Sequence, residues 1–332
     1  MIDILIFILA VALICYVLFG GADYGAGILG LMPWGGHKKS IRQLIGKAIG
    51  PVWEANHIWL ILIVVILFVG FPVVYSSLGT YLHWPLLMVL VGVVFRGCAF
   101  VFLHYDAIKD HSQVWYDRIF SISSLWTSFC LGLVLGGLNS GEIIEQGSVY
   151  ERYFSGWIHP YNFFLGLFVC TIFACQASVY LIGETNDQEI RNLLRSKFRQ
   201  LVSSMIILGG LVFLSSLWTQ GKIALHFIHN PWCLAILFLA TFLVFYLWKA
   251  VDHFHVQKSR VLSGMIISCV LTGFMLANFP NIVLFSERTI SIYQAAANRE
   301  TLYQLLIALI CGLFLIIPSL GFLLKTFKGQ SS

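Results

Sequence analysis

Charge is the scarcest property of this chain. Asp, Glu, Lys and Arg make up 11% of its 332 residues, where a soluble globular domain carries about 25%. Hydrophobic residues reach 59%, and the mean hydropathy is +0.86. A soluble fold of this size could bury such a core but would have little to present to water, so lipid is the expected outer solvent. No linker or low-complexity segment divides the chain and no internal repeat is visible, which predicts one integral membrane domain over residues 1–332. The start, Met1 to Phe19, has no basic segment ahead of its apolar run and carries Asp3 instead. That run is too long for the core of a cleaved signal peptide, so it reads as a retained first helix. Cys15, Cys98, Cys130, Cys170, Cys175, Cys233, Cys269 and Cys311 form no CxxC pair and lie in or beside apolar runs, where Cys behaves as a small hydrophobe. Walker, zincin, Rossmann and nucleophile-elbow patterns are also absent.

What the chain has in quantity is long apolar runs. A hydrocarbon core about 30 Å thick needs about 20 apolar residues of helix. Runs of that kind cover Ile4–Leu31, Pro51–Val73, Leu82–Leu103, Tyr116–Leu138, His159–Ile182, Gln200–Trp218, Pro231–Trp248, Val261–Pro280 and Tyr303–Leu324. They lack strand alternation, and lipid offers backbone amides no partner. The fold class is therefore all-α, a polytopic membrane protein of about nine transmembrane helices. Basic residues concentrate in cytoplasmic loops. With the amino terminus outside, the inner segments hold Lys38, Lys39, Arg42 and Lys47, then Lys109 and Arg118, then Arg191, Arg195, Lys197 and Arg199, then Lys249, Lys258 and Arg260, with Lys325 and Lys328 in the tail. The outer loops keep only Arg152, Lys222, Arg288 and Arg299. The amino terminus is expected outside and the carboxyl terminus inside. Basic residues arranged this way mark a membrane face and exclude a nucleic-acid patch. The longest connection, Asn139 to Ile158, is acidic, and Gly21-x3-Gly25 and Gly132-x3-Gly136 have the spacing of close helix contacts.

Three ionisable residues break the apolar pattern: Asp23 in the first span, Glu54 at the start of the second and Arg96 in the third. A charge at membrane depth costs from about 2.5 kcal/mol upward, so it is expected to face the bundle interior and to have a function. Helix rise places all three in the cytoplasmic third of the bilayer, two acids and one base at a similar level. A structural ion pair locking helices is one reading. It leaves one carboxylate over, and that acid is the candidate proton site. Around Glu54 runs Gly50-Pro51-Val52-Trp53-Glu54-Ala55-Asn56-His57-Ile58-Trp59-Leu60. Trp53, Asn56, His57 and Leu60 share a helical face, and Glu54 neighbours His57. Tryptophans near a membrane edge are ordinarily anchors, whereas Asn56 and His57 can extend a hydrogen-bonded path inward; for His57 a relay and a structural partner remain open. Haem ligation by His57, His83, His104 or His159 has no spacing that demands it.

These segments resemble subunit II of the cytochrome bd-type quinol oxidases. Gly21-Ala22-Asp23-Tyr24-Gly25-Ala26-Gly27-Ile28-Leu29 is similar to that family's G-F-D-x-G-x-G-x-L segment. Pro51-Val52-Trp53-Glu54-Ala55-Asn56-His57-Ile58-Trp59-Leu60 is similar to its P-x-W-D-x-N-x-x-W-L segment, Phe95-Arg96-Gly97 to its F-R-P/G element and Phe279-Pro280 to a late F-P. The motifs are specific over residues 20–100 and loose afterwards. The resemblance implies a heterodimeric oxidase of the bacterial plasma membrane that oxidises quinol on the outer side and reduces oxygen to water with cytoplasmic protons. It implies that b-type and d-type haems and the quinol-oxidising loop belong to subunit I. Subunit II then stabilises the complex and supplies a proton route, and in some members it borders an oxygen route or holds a structural quinone. By position, Asp23 and Glu54 look like proton-path acids, Arg96 like their charge partner, and Trp53, Asn56 and Trp59 like the family's second-helix positions. Asn56 and His57 are further candidates for the proton path, and Trp53 and Trp59 for a structural place or one beside an oxygen or quinone route. The implied partners are the haem-bearing subunit, small accessory subunits and lipid, with quinol as substrate of the complex. The lack of a long polar loop favours subunit II over subunit I. Three departures point to a divergent branch such as the cyanide-insensitive kind: Glu54 for Asp, Ala22 for an aromatic residue, and Ile292-Tyr293-Gln294-Ala295-Ala296-Ala297 without a W-D-A pattern. A stand-alone proton-coupled transporter is the rival reading, since intramembrane carboxylates and a base fit it equally on physics alone. A structural scaffold is the third.

Overall fold

Backbone amides in hydrocarbon can pair only with one another, and the long apolar runs fold as helices. The computed structural model describes residues 1–50, 53–105, 112–219 and 223–328; Pro51, Lys109 and Lys222 lie outside them. The helices are α1 (Ile2–Leu31), α2 (Lys38–Ile49), α3 (Trp53–Val65), α4 (Pro72–Tyr81), α5 (His83–Tyr105), α6 (Ser112–Asn139), α7 (Val149–Tyr153), α8 (Pro160–Ile182), α9 (Gln188–Ser216), α10 (Ile223–His229), α11 (Pro231–Asp252), α12 (Val256–Asn278) and α13 (Arg299–Lys328). Among the described residues nine helices are long and apolar enough to cross a membrane: α1, α3 with its extension to Gly70, α5, α6, α8, α9, α11, α12 and α13. None of the eight cysteines is in a disulfide, and Cys130, Cys170, Cys175 and Cys233 are buried.

The helices depart from the apolar runs at their ends. α9 starts at Gln188, well before the expected Gln200, because Asp187 caps it by accepting from the amides of Glu189 (2.9 Å) and Ile190 (3.4 Å). Its first turns carry Arg191, Arg195, Lys197 and Arg199, so hydropathy marks only the part that meets hydrocarbon. The second span ends in a π-helical turn at Ile66–Gly70 and gives way to α4, which opens on Pro72. The segment expected as a basic loop after α1 is the amphipathic helix α2. Ile41, Ile45 and Ile49 form a face buried against the bundle while Lys38 and Lys39 are exposed, the pattern of an amphipathic helix packed on a protein core.

One element is not helical. Strands β1 (Asn281–Leu284) and β2 (Thr289–Ser291) form an antiparallel hairpin after the cis Phe279–Pro280 bond. Ile143 bridges to Phe285, and Arg288 holds Glu145 through two bonds of 2.6 Å. The hairpin and the acidic connection thus close one end of the bundle together. The basic segments sit at the other end, tied by Arg42–Asp117, His37–Glu189 (3.2 Å), Arg199–Asp252 (2.7 Å) and Arg260–Glu184 (2.9 Å).

α8 is the central helix, with 72% of its most apolar stretch buried, whereas α13 has 11% and lies at the margin. α1 and α6 pack on α8 through missing side chains. A Cβ on Gly25 would overlap the backbone of Phe173, with the Ala174 nitrogen at 2.9 Å, and one on Gly132 would come within 2.5 Å of the Gly166 Cα. One glycine of each expected Gly-x3-Gly pair thus makes a backbone-to-backbone approach, while Gly21 and Gly136 make room for the side chains of Phe173 and Asn162. They bring α1, α6 and α8 close enough for short polar side chains to meet between them.

Candidate functional site

Asp23 and Arg96 are the centre of the polar interior. Asp23 is 5% exposed and Arg96 is 1% exposed, on α1 and α5, with Arg96 Nη2 3.2 Å from Asp23 Oδ2. The angle at Nη2 makes this an ion contact and not a directed hydrogen bond. Arg96 Nε donates to Ser124 Oγ on α6 (3.1 Å), and Ser124 in turn donates to the Phe120 carbonyl (2.7 Å). The guanidinium lies over two rings, Tyr24 at 4.7 Å and Phe120 at 5.0 Å. Those faces are electron-rich and favour a cation that water cannot reach. Gly27 permits this geometry, since a Cβ there would collide with Ser124.

Asn56 on α3 joins the pair. It is 8% exposed, and its Nδ2 donates to Asp23 Oδ2 and to the Phe19 carbonyl, each at 3.4 Å. Three spans therefore contribute to one carboxylate. The expectation that both acids share Arg96 is not met. Glu54 is exposed on α3 and makes no ion pair with Arg96. The reason is helical phase: Glu54 and Asn56 are two positions apart, about 200° of rotation, so when Asn56 faces α1 the carboxylate faces away. Trp53 packs on Phe100 of α5 with ring centres 4.9 Å apart, and the edge of its ring meets half-buried His57 at 6.5 Å. Trp59 stacks on Phe19 at 6.4 Å. The site thus gathers Asp23, Asn56 and Arg96, while His57, Trp53 and Trp59 pack nearby and Glu54 stands outside.

Three further residues complete the network. Tyr16 and Tyr24 are buried and their hydroxyls lie 3.2 Å apart. Eight residues separate them, too far for ordinary neighbours on a helix. The contact exists because the Tyr16 ring lies along α1 over Gly20, where a Cβ would sit 3.2 Å from the ring. A glycine four residues from each of two tyrosines was the available signal. Ser124 was the third, with Ser121 and Ser128 at helical spacing along the same apolar run.

Beside Asp23 opens a cavity of about 380 Å³ bounded by α1, the end of α2, α3, the end of α8 and α13. Its walls are mostly apolar, and its polar lining includes Asp23, Asn56, Tyr180 and Glu184. A buried carboxylate held by a guanidinium and an amide beside such a space has the parts needed to accept and release a proton. Among the described residues no three His, Cys, Asp or Glu side chains gather as a metal site would require.

The family model described as cytochrome bd terminal oxidase subunit II matches residues 1–327. The chain is 26% identical over 211 residues to the cytochrome bd ubiquinol oxidase subunit 2 of Bacillus subtilis, covering 64% of this chain and 61% of that protein. It is 24% identical over 178 residues to the cytochrome bd-I ubiquinol oxidase subunit 2 of Escherichia coli, covering 52% and 46%. The matched stretch therefore spans less than two thirds of either relative. A chain from the structure of the bd oxidase of Geobacillus thermodenitrificans shares the fold with a TM-score of 0.78 over 98% of both chains, at 21% identity. With the family model matching nearly the whole chain, the protein belongs to the cytochrome bd oxidase subunit II family.

Proposed function

We propose that this chain is the haem-free subunit of a quinol-oxidising, oxygen-reducing complex in the bacterial plasma membrane, and that Asp23 lies on the path by which cytoplasmic protons reach the oxygen chemistry. The amino terminus is outside, which puts the basic end of the bundle in the cytoplasm. The partner is a haem-bearing subunit I, which holds the b-type and d-type haems and oxidises quinol. Electrons from quinol and protons from the cytoplasm together convert oxygen to water. This chain works as a single membrane domain over its whole length, and its part is to stabilise the complex and to hold a proton on the Asp23 carboxyl.

The observation that carries the reading is a carboxylate from one span, a guanidinium from a second and an amide from a third, all buried and in contact. An idle ion pair explains the pairing but not the cavity that reaches it. Glu54, exposed on this chain, acts as a proton donor at the chain's surface, with His57 beside it on α3. Arg96 neutralises the carboxylate between transfers, and the Tyr16–Tyr24 pair carries the polar network toward mid-membrane.

The test is purification of the complex followed by oxygen consumption with quinol. The haem-bearing subunit is expected to co-purify, and Asp23→Asn and Glu54→Gln are expected to slow turnover at unchanged assembly. Loss of a general acid–base group typically lowers rates by about 10²-fold or more. Wild-type rates in both assembled variants would remove the proton path and leave a scaffold. A chain that purifies alone and moves solute with protons would be a transporter.

A further inference from the structure

The mouth of the Asp23 cavity has a second carboxylate that no reading of the motifs assigns. Glu184 follows the last turn of α8, lines the same cavity as Asp23 and Asn56, and has 29% of its side chain exposed. Arg260 of α12 fixes its position. Arg260 Nη2 donates to Glu184 Oε1 (2.9 Å) and to the Tyr180 carbonyl (3.1 Å), so one guanidinium both caps α8 and holds the acid. The same guanidinium lies 5.4 Å from the Tyr180 ring. Gly183 makes room for this, since a Cβ there would meet Arg260 Nη2 at 2.5 Å. Glu184 therefore faces Arg260 and Tyr180 on one side and, across the cavity, Asp23.

We propose that Glu184 collects protons at the cytoplasmic mouth of this cavity and that the cavity is a water-filled antechamber through which they pass to Asp23. The proposal rests on the reading of Asp23 as a proton-path acid. The space can hold about ten water molecules at ~30 Å³ each, and carboxylates at its mouth and its depth give that water polar anchors. In each transfer the Glu184 carboxyl releases its proton to cavity water, Asp23 takes one from the other end of the chain, and Glu184 is reprotonated from the cytoplasm. Glu54 is not part of the lining, so the two acids mark separate entrances.

The test uses the purified complex reconstituted in vesicles. Glu184→Gln keeps an oxygen that accepts from Arg260 but cannot carry the proton. Its turnover is expected to fall about tenfold at pH 8 and much less at pH 6, less than the roughly 10²-fold typical of a lost acid–base group because water partly substitutes. Glu184→Asp is expected to restore most of the rate, and Ala22→Leu, which fills the cavity, to reproduce the loss. A pH-independent defect, or wild-type turnover in Glu184→Gln while Asp23→Asn is slow, would overturn this proposal alone. Wild-type turnover in Asp23→Asn would overturn it together with the reading beneath it. Should Glu184→Gln not assemble, Ala22→Cys decides. A small cationic thiosulfonate added from the cytoplasmic side is expected to modify it, and no modification would mean that a lipid or isoprenoid tail fills the space.

Discussion

Replacing Arg96 with Met removes the guanidinium and leaves Asp23 buried with Asn56 as its remaining polar contact at 3.4 Å. Breaking a buried ion pair from one side costs about 3–5 kcal/mol, because the surviving charge stays desolvated. Two features put this case toward the lower figure: the Nη2 contact at 3.2 Å is not a directed hydrogen bond, and the carboxylate lines a cavity and is not packed on every side. Asp23→Asn should cost less, since Arg96 keeps Ser124 and two aromatic faces. The double variant should then be more stable than the sum of the two losses implies, with a coupling of about 1–3 kcal/mol for groups in direct contact. Thermal unfolding of the four proteins in detergent, followed by the loss of subunit association, measures that term. Additive losses would refute the claim that the two charges are partners.

Gly25→Ala forces α1 off the backbone of α8 at Phe173 and should destabilise by about 1–3 kcal/mol as overpacking, seen as a lowered melting temperature and reduced assembly. Asn278→Leu removes a bond of 3.0 Å to Asn139 and one of 3.3 Å to His226 at the hairpin end. It should cost about 0.6–2 kcal/mol, the range for hydrogen bonds between membrane helices, measured the same way. The Ser148 amide and hydroxyl bonding Glu151 hold its carboxyl below the usual range. The capping box at α7 should therefore be intact above the ordinary carboxylate pKa and loosen as pH falls through the depressed one. Protection from hydrogen exchange over residues 149–153, taken relative to the intrinsic rate at each pH, is expected to fall at acid pH and to lose that dependence in Glu151→Gln.

The spans were legible because membrane insertion depends on composition over about twenty residues, which a sequence displays directly. Asp23, Arg96 and Asn56 were legible for the same reason, as polar groups in places where polarity is expensive. The face of Glu54 was harder. Its level in the bilayer follows from helix rise, but its direction depends on which side of α3 meets α1. The Tyr16–Tyr24 contact depends on a ring lying along its own helix, a rotamer that spacing does not reveal. Glu184 lies just past an apolar run, and its placement depends on a cavity walled by five separate elements, which spacing does not show. α2 is marked by the four-residue spacing of Ile41, Ile45 and Ile49, whereas its low overall hydrophobicity and its lysines are those of a basic loop. The hairpin at residues 281–291 is too short to show an alternation of its own and is held by contacts with Ile143 and Glu145 from far along the chain.

Side-resolved proton uptake tests the central claim most directly. The complex, reconstituted with its basic face accessible, is given one pulse of oxygen after full reduction, and proton disappearance is followed on that face in wild type and in Asp23→Asn. Uptake from the basic face that slows markedly in the variant, while electrons still leave quinol at first, is the predicted result. Equal uptake in both proteins, or uptake from the opposite face, would contradict it.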